Sequence, residues 1–219
     1  AQARANLLAE GVDSRRIFLT GNTIVDALLW MRARVSGRPL PPALDPGAAR
    51  LVLVTAHRRE SFGQPFRELC AALREIAMRH TDVCLIYPVH LNPRVRGPVH
   101  ELLGNCPRLR LVEPLDYATF VAVLARAHLV LTDSGGIQEE APALGKPVLV
   151  LREKTERPEA VTAGAVKLVG TDRARIVAEA DTLLTDPAAY AAMARPACIY
   201  GDGRAAARIG EVIVTGQMS

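Results

Sequence analysis

A chain of 219 residues, 49% of them hydrophobic, is long enough to bury a sizeable core, and this composition excludes an intrinsically disordered protein. Its formal net charge of +4 comes from scattered arginines, not from a basic stripe with interleaved aromatic residues. This pattern argues against a nucleic-acid-binding protein and favours small phosphorylated ligands. The cysteines lack C-x-x-C spacing and the sequence lacks a long apolar run, so we predict free thiols, no metal site and a cytoplasmic location.

The start of the chain differs from the rest. Residues 1–10 have the pattern of a helix already under way, which ends at Gly11, and residues 16–19 read as a strand. Residues 36–49 contain four prolines and two glycines and predict a loop. We therefore predict that residues 1–49 form a connecting segment from a missing N-terminal domain plus a proline-rich loop, and that residues 50–219 form a Rossmann-like nucleotide-binding domain with C-terminal helices.

Short β-rich runs then alternate with helical patterns. A strand–helix repeat with right-handed crossovers predicts an α/β fold with a doubly wound parallel sheet. Together with residues 16–19, seven strands are predicted. The other six lie at residues 51–55, 83–87, 109–112, 129–132, 148–151 and 166–169.

The strongest local signal is the run Thr132-Asp133-Ser134-Gly135-Gly136 between a strand and a helix. Two glycines let a phosphate approach the main chain, and the N–H groups at the helix start favour an anion. The run therefore predicts a phosphate cradle, although a tight turn alone would also explain the glycines.

Glu140 lies one helical turn after Gly136, where its carboxylate is suited to accept two ribose hydroxyls. Glu139 points about 100° away around the helix, and we predict that it is solvated.

Two histidines follow predicted strands at the sheet edge where such folds bind ligands. His57 precedes Arg58 and Arg59 and is a candidate phosphate donor or proton carrier, with a solvated basic loop as the alternative. His90 follows the next strand and is expected to reach the same crevice. His80, His100 and His128 are assigned no function.

Arg157 follows the strand at residues 148–151 and is the best candidate for a charged contact to a diphosphate. An ordinary ion pair with Glu153 or Glu156 would have the same sequence pattern. The chain contains no G-x-x-x-x-G-K-[ST] loop, no G-x-G-x-x-G turn and no G-x-S-x-G elbow.

The motifs together resemble the non-hydrolysing UDP-N-acetylglucosamine 2-epimerases, over that family's second half. The shared segments begin at Thr20 (T-G-N-T), Thr55 (T-A-H-R-R-E-S-F-G), Tyr87 (Y-P-V-H-L-N-P), Leu131 (L-T-D-S-G-G-I-Q-E-E-A-P) and Thr155 (T-E-R-P-E-A). Their order and spacing make the resemblance far more specific than any one motif.

The resemblance implies a two-domain architecture of the glycosyltransferase-B type, with this chain as the C-terminal, UDP-holding domain. It implies that His57 and Arg157 face the phosphates and that Glu140 binds the ribose. The diphosphate would contact Ser134, Gly135 and Gly136, and the uracil would contact Phe120 and the main chain near Leu115.

The resemblance also implies a reaction without a cofactor. UDP is eliminated from UDP-N-acetylglucosamine and added back with inverted C2, giving UDP-N-acetylmannosamine, while the acid and base carboxylates belong to the other domain. A second UDP-N-acetylglucosamine would bind near Arg58 and His90 as an activator, and the full-length enzyme would be a homodimer. The alternatives are a UDP-sugar glycosyltransferase domain, a hydrolysing epimerase and a non-catalytic UDP-sugar-binding module.

Overall fold

A computed structural model of the chain describes residues 2–216, so Ala1 and residues 217–219 of the predicted segments lie outside it. Contacts divide the described residues into two compact units. One contains residues 2–30 and 200–216, and the other contains residues 31–199.

The smaller unit is helical. It contains α1 (Gln2–Ala9), the first part of α2 (Thr23–Val35) and α10 (Ala205–Thr215). Helix α10 begins with N–H groups that have no partner within the helix, and the Asp26 carboxylate accepts hydrogen bonds from the Ala205 and Ala206 N–H groups at 3.2 and 2.8 Å. This carboxylate therefore caps α10.

The strand predicted at residues 16–19 is wrong. Ser14–Arg16 form a short 3-10 turn, and Ile17 is extended, with φ −110° and ψ 110°, but belongs to no strand. An extended conformation becomes a strand only when a neighbouring strand accepts and donates its main-chain hydrogen bonds. Within residues 2–216 this segment has no such neighbour.

The larger unit contains a six-stranded, wholly parallel sheet with strand order β3-β2-β1-β4-β5-β6. The six strands predicted from residue 51 onward are confirmed, as is the Rossmann-like α/β class. The strands are β1 (Arg50–Thr55), β2 (Val83–Pro88), β3 (Leu109–Val112), β4 (Leu129–Thr132), β5 (Val148–Val150) and β6 (Val166–Leu168).

Helices connect the strands and cover the sheet. Right-handed crossovers place α3 and α4 on one face and α5, α6 and α7 on the other, because the strand order reverses between β1 and β4. Helix α8 packs on α3. The helices are α3 (Gln64–Arg79), α4 (Pro93–Leu103), α5 (Tyr117–Arg126), α6 (Ile137–Ala143), α7 (Pro158–Thr162), α8 (Arg173–Thr185) and α9 (Pro187–Met193).

The core lies between the sheet and these helices. Strand β4 is buried along its whole length, as a central parallel strand covered on both faces must be. Helix α3 buries Phe66, Leu69, Leu73 and Ile76, which recur at helical spacing. No helix in the described part of the chain is long and apolar enough to span a membrane.

Candidate functional site

The carboxyl ends of β1 and β4 meet where the strand order reverses, the place where open α/β sheets bind ligands. The hydroxyls of Thr55 and Thr132 lie 2.6 Å apart, and Thr132 Oγ1 also accepts the Ser134 N–H at 3.0 Å. The Asp133 N–H donates to the Thr55 carbonyl at 3.0 Å. These hydrogen bonds therefore join the starting points of the two loops that follow the strands.

Asp133 ties the two loops together. Its side chain is buried, and Oδ2 accepts the main-chain N–H groups of His57 and Arg58, both at 2.6 Å. Burial raises the pKa of this carboxyl group, and the two main-chain hydrogen bonds act in the opposite direction. Oδ1 lies 3.8 Å from His57 Nδ1 and has no hydrogen-bond partner among residues 2–216. The sequence motif around Asp133 predicted a function for its glycines and did not indicate that the Asp133 carboxylate connects the two loops.

His57 and His90 come together as expected. Their rings stack with centroids 5.1 Å apart and an angle of 15° between the planes. His90 Nδ1 accepts the Asn92 N–H at 3.0 Å, which fixes its ring. A cavity of about 360 Å³ opens beside the two rings and is lined by His57, Arg58, Arg59, Glu60, His90 and Asn92.

The turn from Ser134 to Gly136 leads into α6 and is half-buried. The N–H groups of Gly135 and Gly136 have no hydrogen-bond acceptor in the described chain. A side chain built on Gly135 would meet Arg58 Nη2 at 3.8 Å, so the guanidinium lies directly against this turn. Two open N–H groups beside a cation make an anion-binding arrangement.

Glu140 lies on the next turn of α6 and is only 5% exposed. Its Oε1 accepts the Tyr117 hydroxyl at 3.1 Å, and burial raises the pKa of this carboxyl group. Burial also raises the pKa of Tyr117 to about 12, so its hydroxyl stays a donor. This contact joins α6 to α5, which carries the half-buried Phe120, and Leu115 lies in the loop just before α5.

Sequence comparison now identifies the family. The profile described as UDP-N-acetylglucosamine 2-epimerase matches residues 1–214. The chain belongs to this family. A relative from Escherichia coli K12, described as UDP-N-acetylglucosamine 2-epimerase, is 53% identical over 225 residues, which cover 99% of this chain and 60% of the relative. One from Bacillus subtilis is 48% identical over 97% of this chain and 56% of its own length.

Solved structures of family members match the fold closely. The UDP-GlcNAc 2-epimerase from Neisseria meningitidis bound to UDP-GlcNAc has a TM-score of 0.91 and 39% identity, covering 97% of this chain and 59% of that one. The Methanocaldococcus jannaschii enzyme in complex with UDP-GlcNAc and UDP has a TM-score of 0.79 and 30% identity, covering 97% and 58%. The chain therefore spans about 60% of the length of these epimerases.

In this epimerase-family chain, α6 also reaches the loop after β5. The buried Gln138 amide donates to the Ser134 carbonyl at 3.1 Å, and its Oε1 accepts the Thr155 hydroxyl at 2.5 Å. Thr155 Oγ1 in turn accepts the Arg157 N–H at 3.0 Å. One buried amide thus connects the Ser134 turn to the segment that carries Arg157.

The prediction that Glu139 is solvated is wrong. The residue is 4% exposed, and its carboxylate accepts a hydrogen bond from Arg157 Nε. A position 100° from Glu140 on α6 faces the loop after β5 and not water. Arg157 therefore forms an ion pair, as the alternative interpretation predicted, but its carboxylate partner is Glu139 and not Glu153 or Glu156. Arg157 Nη1 also donates to the Glu156 carbonyl at 3.1 Å.

Arg152 holds the loops after β1 and β5 together. It is 8% exposed, and Nε donates to Glu60 at 2.6 Å while Nη1 and Nη2 donate to the two oxygens of Glu156 at 2.9 Å. This two-point contact lowers the pKa of Glu156 to about 2. No sequence pattern indicates Arg152, because scattered arginines are common throughout the chain.

Proposed function

We propose that this chain supplies the UDP-binding half of an enzyme that converts UDP-N-acetylglucosamine to UDP-N-acetylmannosamine. The observation that carries the proposal is the turn at Ser134, whose following glycines present two open N–H groups beside Arg58 at the sheet switch point. Family relatives solved with UDP-GlcNAc, and with UDP-GlcNAc and UDP, support it.

We assign the diphosphate to Ser134, Gly135 and Gly136. Main-chain N–H groups held in place by Thr132 and Gln138 need no rearrangement when an anion arrives. Glu140 accepts the ribose hydroxyls, one helical turn further along α6.

The uracil lies against α5 in this proposal. Phe120 supplies an aromatic face three residues after Tyr117, and the main chain near Leu115 supplies polar groups. The hydrogen bond from Tyr117 to Glu140 sets the spacing between the base and ribose positions.

His57 and Arg157 face the phosphates and stabilise UDP as it leaves. In the elimination a base takes the C2 proton, the bond from C1 to the phosphate oxygen breaks, and its electron pair leaves with UDP, giving a glycal. Negative charge then grows on the phosphate, where a donor ring and a guanidinium lower the barrier. Addition of UDP at C1 and of a proton to the opposite face of C2 gives the epimer. The base and acid belong to the part of the relatives that this chain does not span.

We also propose that a second UDP-N-acetylglucosamine binds at Arg58 and His90 as an activator. Both residues line the 360 Å³ cavity beside His57. His90 stacks on His57, which we assign to the phosphates of the substrate. An activator bound at His90 would therefore lie next to a substrate-binding residue.

A chimaera tests the function. The segment of the Escherichia coli relative before the matched region would be joined to this chain, and product formation from UDP-N-acetylglucosamine would be followed by proton NMR. We expect UDP-N-acetylmannosamine to form until the two epimers reach equilibrium. Ser134→Ala should lower kcat/KM by about tenfold or more, the effect of losing one donor to a charged group. Lys154→Ala, at an exposed position, is the matched control.

The products separate the alternatives. Sugar transfer to an added acceptor without any epimer would replace the proposal with a glycosyltransferase. Release of free N-acetylmannosamine would indicate the hydrolysing reaction. A folded chimaera that binds UDP-N-acetylglucosamine and releases no product would support a non-catalytic binding module.

A further inference from the structure

A second cavity lies at the opposite edge of the sheet, at the amino ends of β1, β4 and β5. Its volume is about 490 Å³, and the lining residues that matter here are Asp45, Arg50, Arg126, His128, Lys146 and Tyr190. Strand β1 has six residues at about 3.3 Å each, so roughly 17–20 Å separates this cavity from the Ser134 turn. The two are distinct sites.

Positive charge at this cavity is not compensated. Lys146 is half-buried, and its ammonium group has neither a carboxylate nor a hydrogen-bond acceptor among residues 2–216. Burial and the nearby Arg32 lower the pKa of Lys146. The Arg126 guanidinium donates to the Arg38 carbonyl at 2.6 Å, which is a neutral partner. Of the three lysine and arginine side chains lining the cavity, only Arg50 is paired with an acid within residues 2–216, namely Asp82.

His128 lies in the lining of this cavity. Its Nε2 is buried and has no hydrogen-bond partner in the described chain. The ring stacks on Tyr190 with centroids 4.1 Å apart and planes 3° from parallel, so its orientation is fixed. Burial and the nearby Arg50 and Lys146 lower the pKa of His128, so the cavity disfavours further positive charge on this ring.

The single lining carboxylate does not neutralise the cavity. Asp45 is exposed and accepts the Gly47 N–H at 3.0 Å, which stabilises its own turn. The cavity is therefore cationic and large enough for a small molecule.

We propose that this cavity binds a small, multiply charged oxyanion of the phosphate class. Lys146 and Arg126 supply the charge, and the His128 ring lies beside them in the cavity lining, where it can report binding. Sequence analysis assigned His128 no function, and the site does not depend on the function proposed for the other edge.

NMR titration with inorganic phosphate tests the site. The ring signals of His128 and Tyr190 would be assigned by comparison with His128→Gln and followed as phosphate is added. We expect a saturable change at both rings, with Lys146→Gln weakening phosphate binding at least tenfold. Arg126→Gln, at an exposed position that should not disturb folding, should weaken it as well.

Two controls locate the effect. Lys154→Gln removes the same charge at the carboxyl edge of the sheet and should leave the His128 titration unchanged, as should Ser134→Ala. Ring signals that drift linearly without saturation would overturn the proposal. So would equal phosphate affinity in the wild type, Lys146→Gln and Arg126→Gln.

Discussion

The two edges of the sheet handle charge in opposite ways. At the carboxyl edge, buried polar side chains satisfy one another or the main chain, as Asp133 does with His57 and Arg58. What stays open there is the main-chain N–H of Gly135 and Gly136, together with one carboxylate oxygen, Oδ1 of Asp133. At the amino edge, Lys146 and His128 Nε2 have no partner among residues 2–216. The side chains at the carboxyl edge therefore hold the loops of the site in place. The positive charge of Lys146 at the amino edge does not stabilise the fold. Substitutions should cost stability at the first edge and not at the second.

The largest effect is expected for Asp133→Ala. It leaves two part-buried N–H groups without an acceptor, and the free energy of unfolding should fall by about 2–3 kcal/mol. Urea denaturation measures this. Asp133→Asn keeps one acceptor oxygen and should lose less. An Asp133→Ala protein as stable as the wild type would show that Asp133 does not hold the loops.

A smaller effect is expected from Glu140, which should make the free energy of unfolding depend on pH. Its pKa is raised by burial, so its stabilising contribution is complete below the ordinary value of 4.5 and is lost as pH rises through the raised pKa. A shift of one pKa unit corresponds to about 1.4 kcal/mol. Glu140→Gln should remove this decline when the free energy of unfolding is measured from pH 4 to pH 8. An identical slope in the variant would show that another group causes it.

Arg152→Met should lower the free energy of unfolding at neutral pH but not in acid. The lowered pKa of Glu156, about 2, means that the ion pair stabilises the fold above pH 4.5 and stops doing so as pH falls toward 2. Because Glu156 is exposed, we expect the free energy of unfolding to fall by about 1 kcal/mol at pH 7. Arg96→Met, which breaks the exposed pair with Glu113, is the matched control and should change little. A cost that does not vary with pH would contradict this account.

The smallest effect, with the opposite sign, is expected for Lys146→Met. A lowered lysine pKa means that the folded state disfavours the charge, so removing it should leave stability unchanged or raise it by less than about 1 kcal/mol in phosphate-free buffer. Any gain should shrink as pH rises toward the ordinary pKa of 10.5. Lys154→Met is the exposed control. A clear loss of stability would show that Lys146 has a structural partner.

The sheet could be predicted because its strands are apolar runs that turn signals separate, as residues 129–132 illustrate. The segment at residues 16–19 has similar residues but no neighbour with which to pair, and pairing is a long-range property that local composition does not contain. Sequence alone therefore overstated the number of strands by one.

The candidate site was only partly predictable for the same reason. Strand ends and glycines located Ser134 and His57, because parallel strands bring their carboxyl ends to one edge. The contacts that hold the site connect residues distant in sequence: Asp133 to His57, and Arg152 to Glu60. The partner of Arg157 proved to be Glu139 because the fold turns that side of α6 toward the β5 loop.

Calorimetric titration of the chain with UDP, on the wild type, Ser134→Ala and Lys146→Met, separates the two edges directly. We predict one saturable UDP site, weakened at least tenfold by Ser134→Ala and unchanged by Lys146→Met. UDP binding that survives Ser134→Ala at full strength, or that is lost in Lys146→Met, would contradict the assignment of the nucleotide to the carboxyl edge.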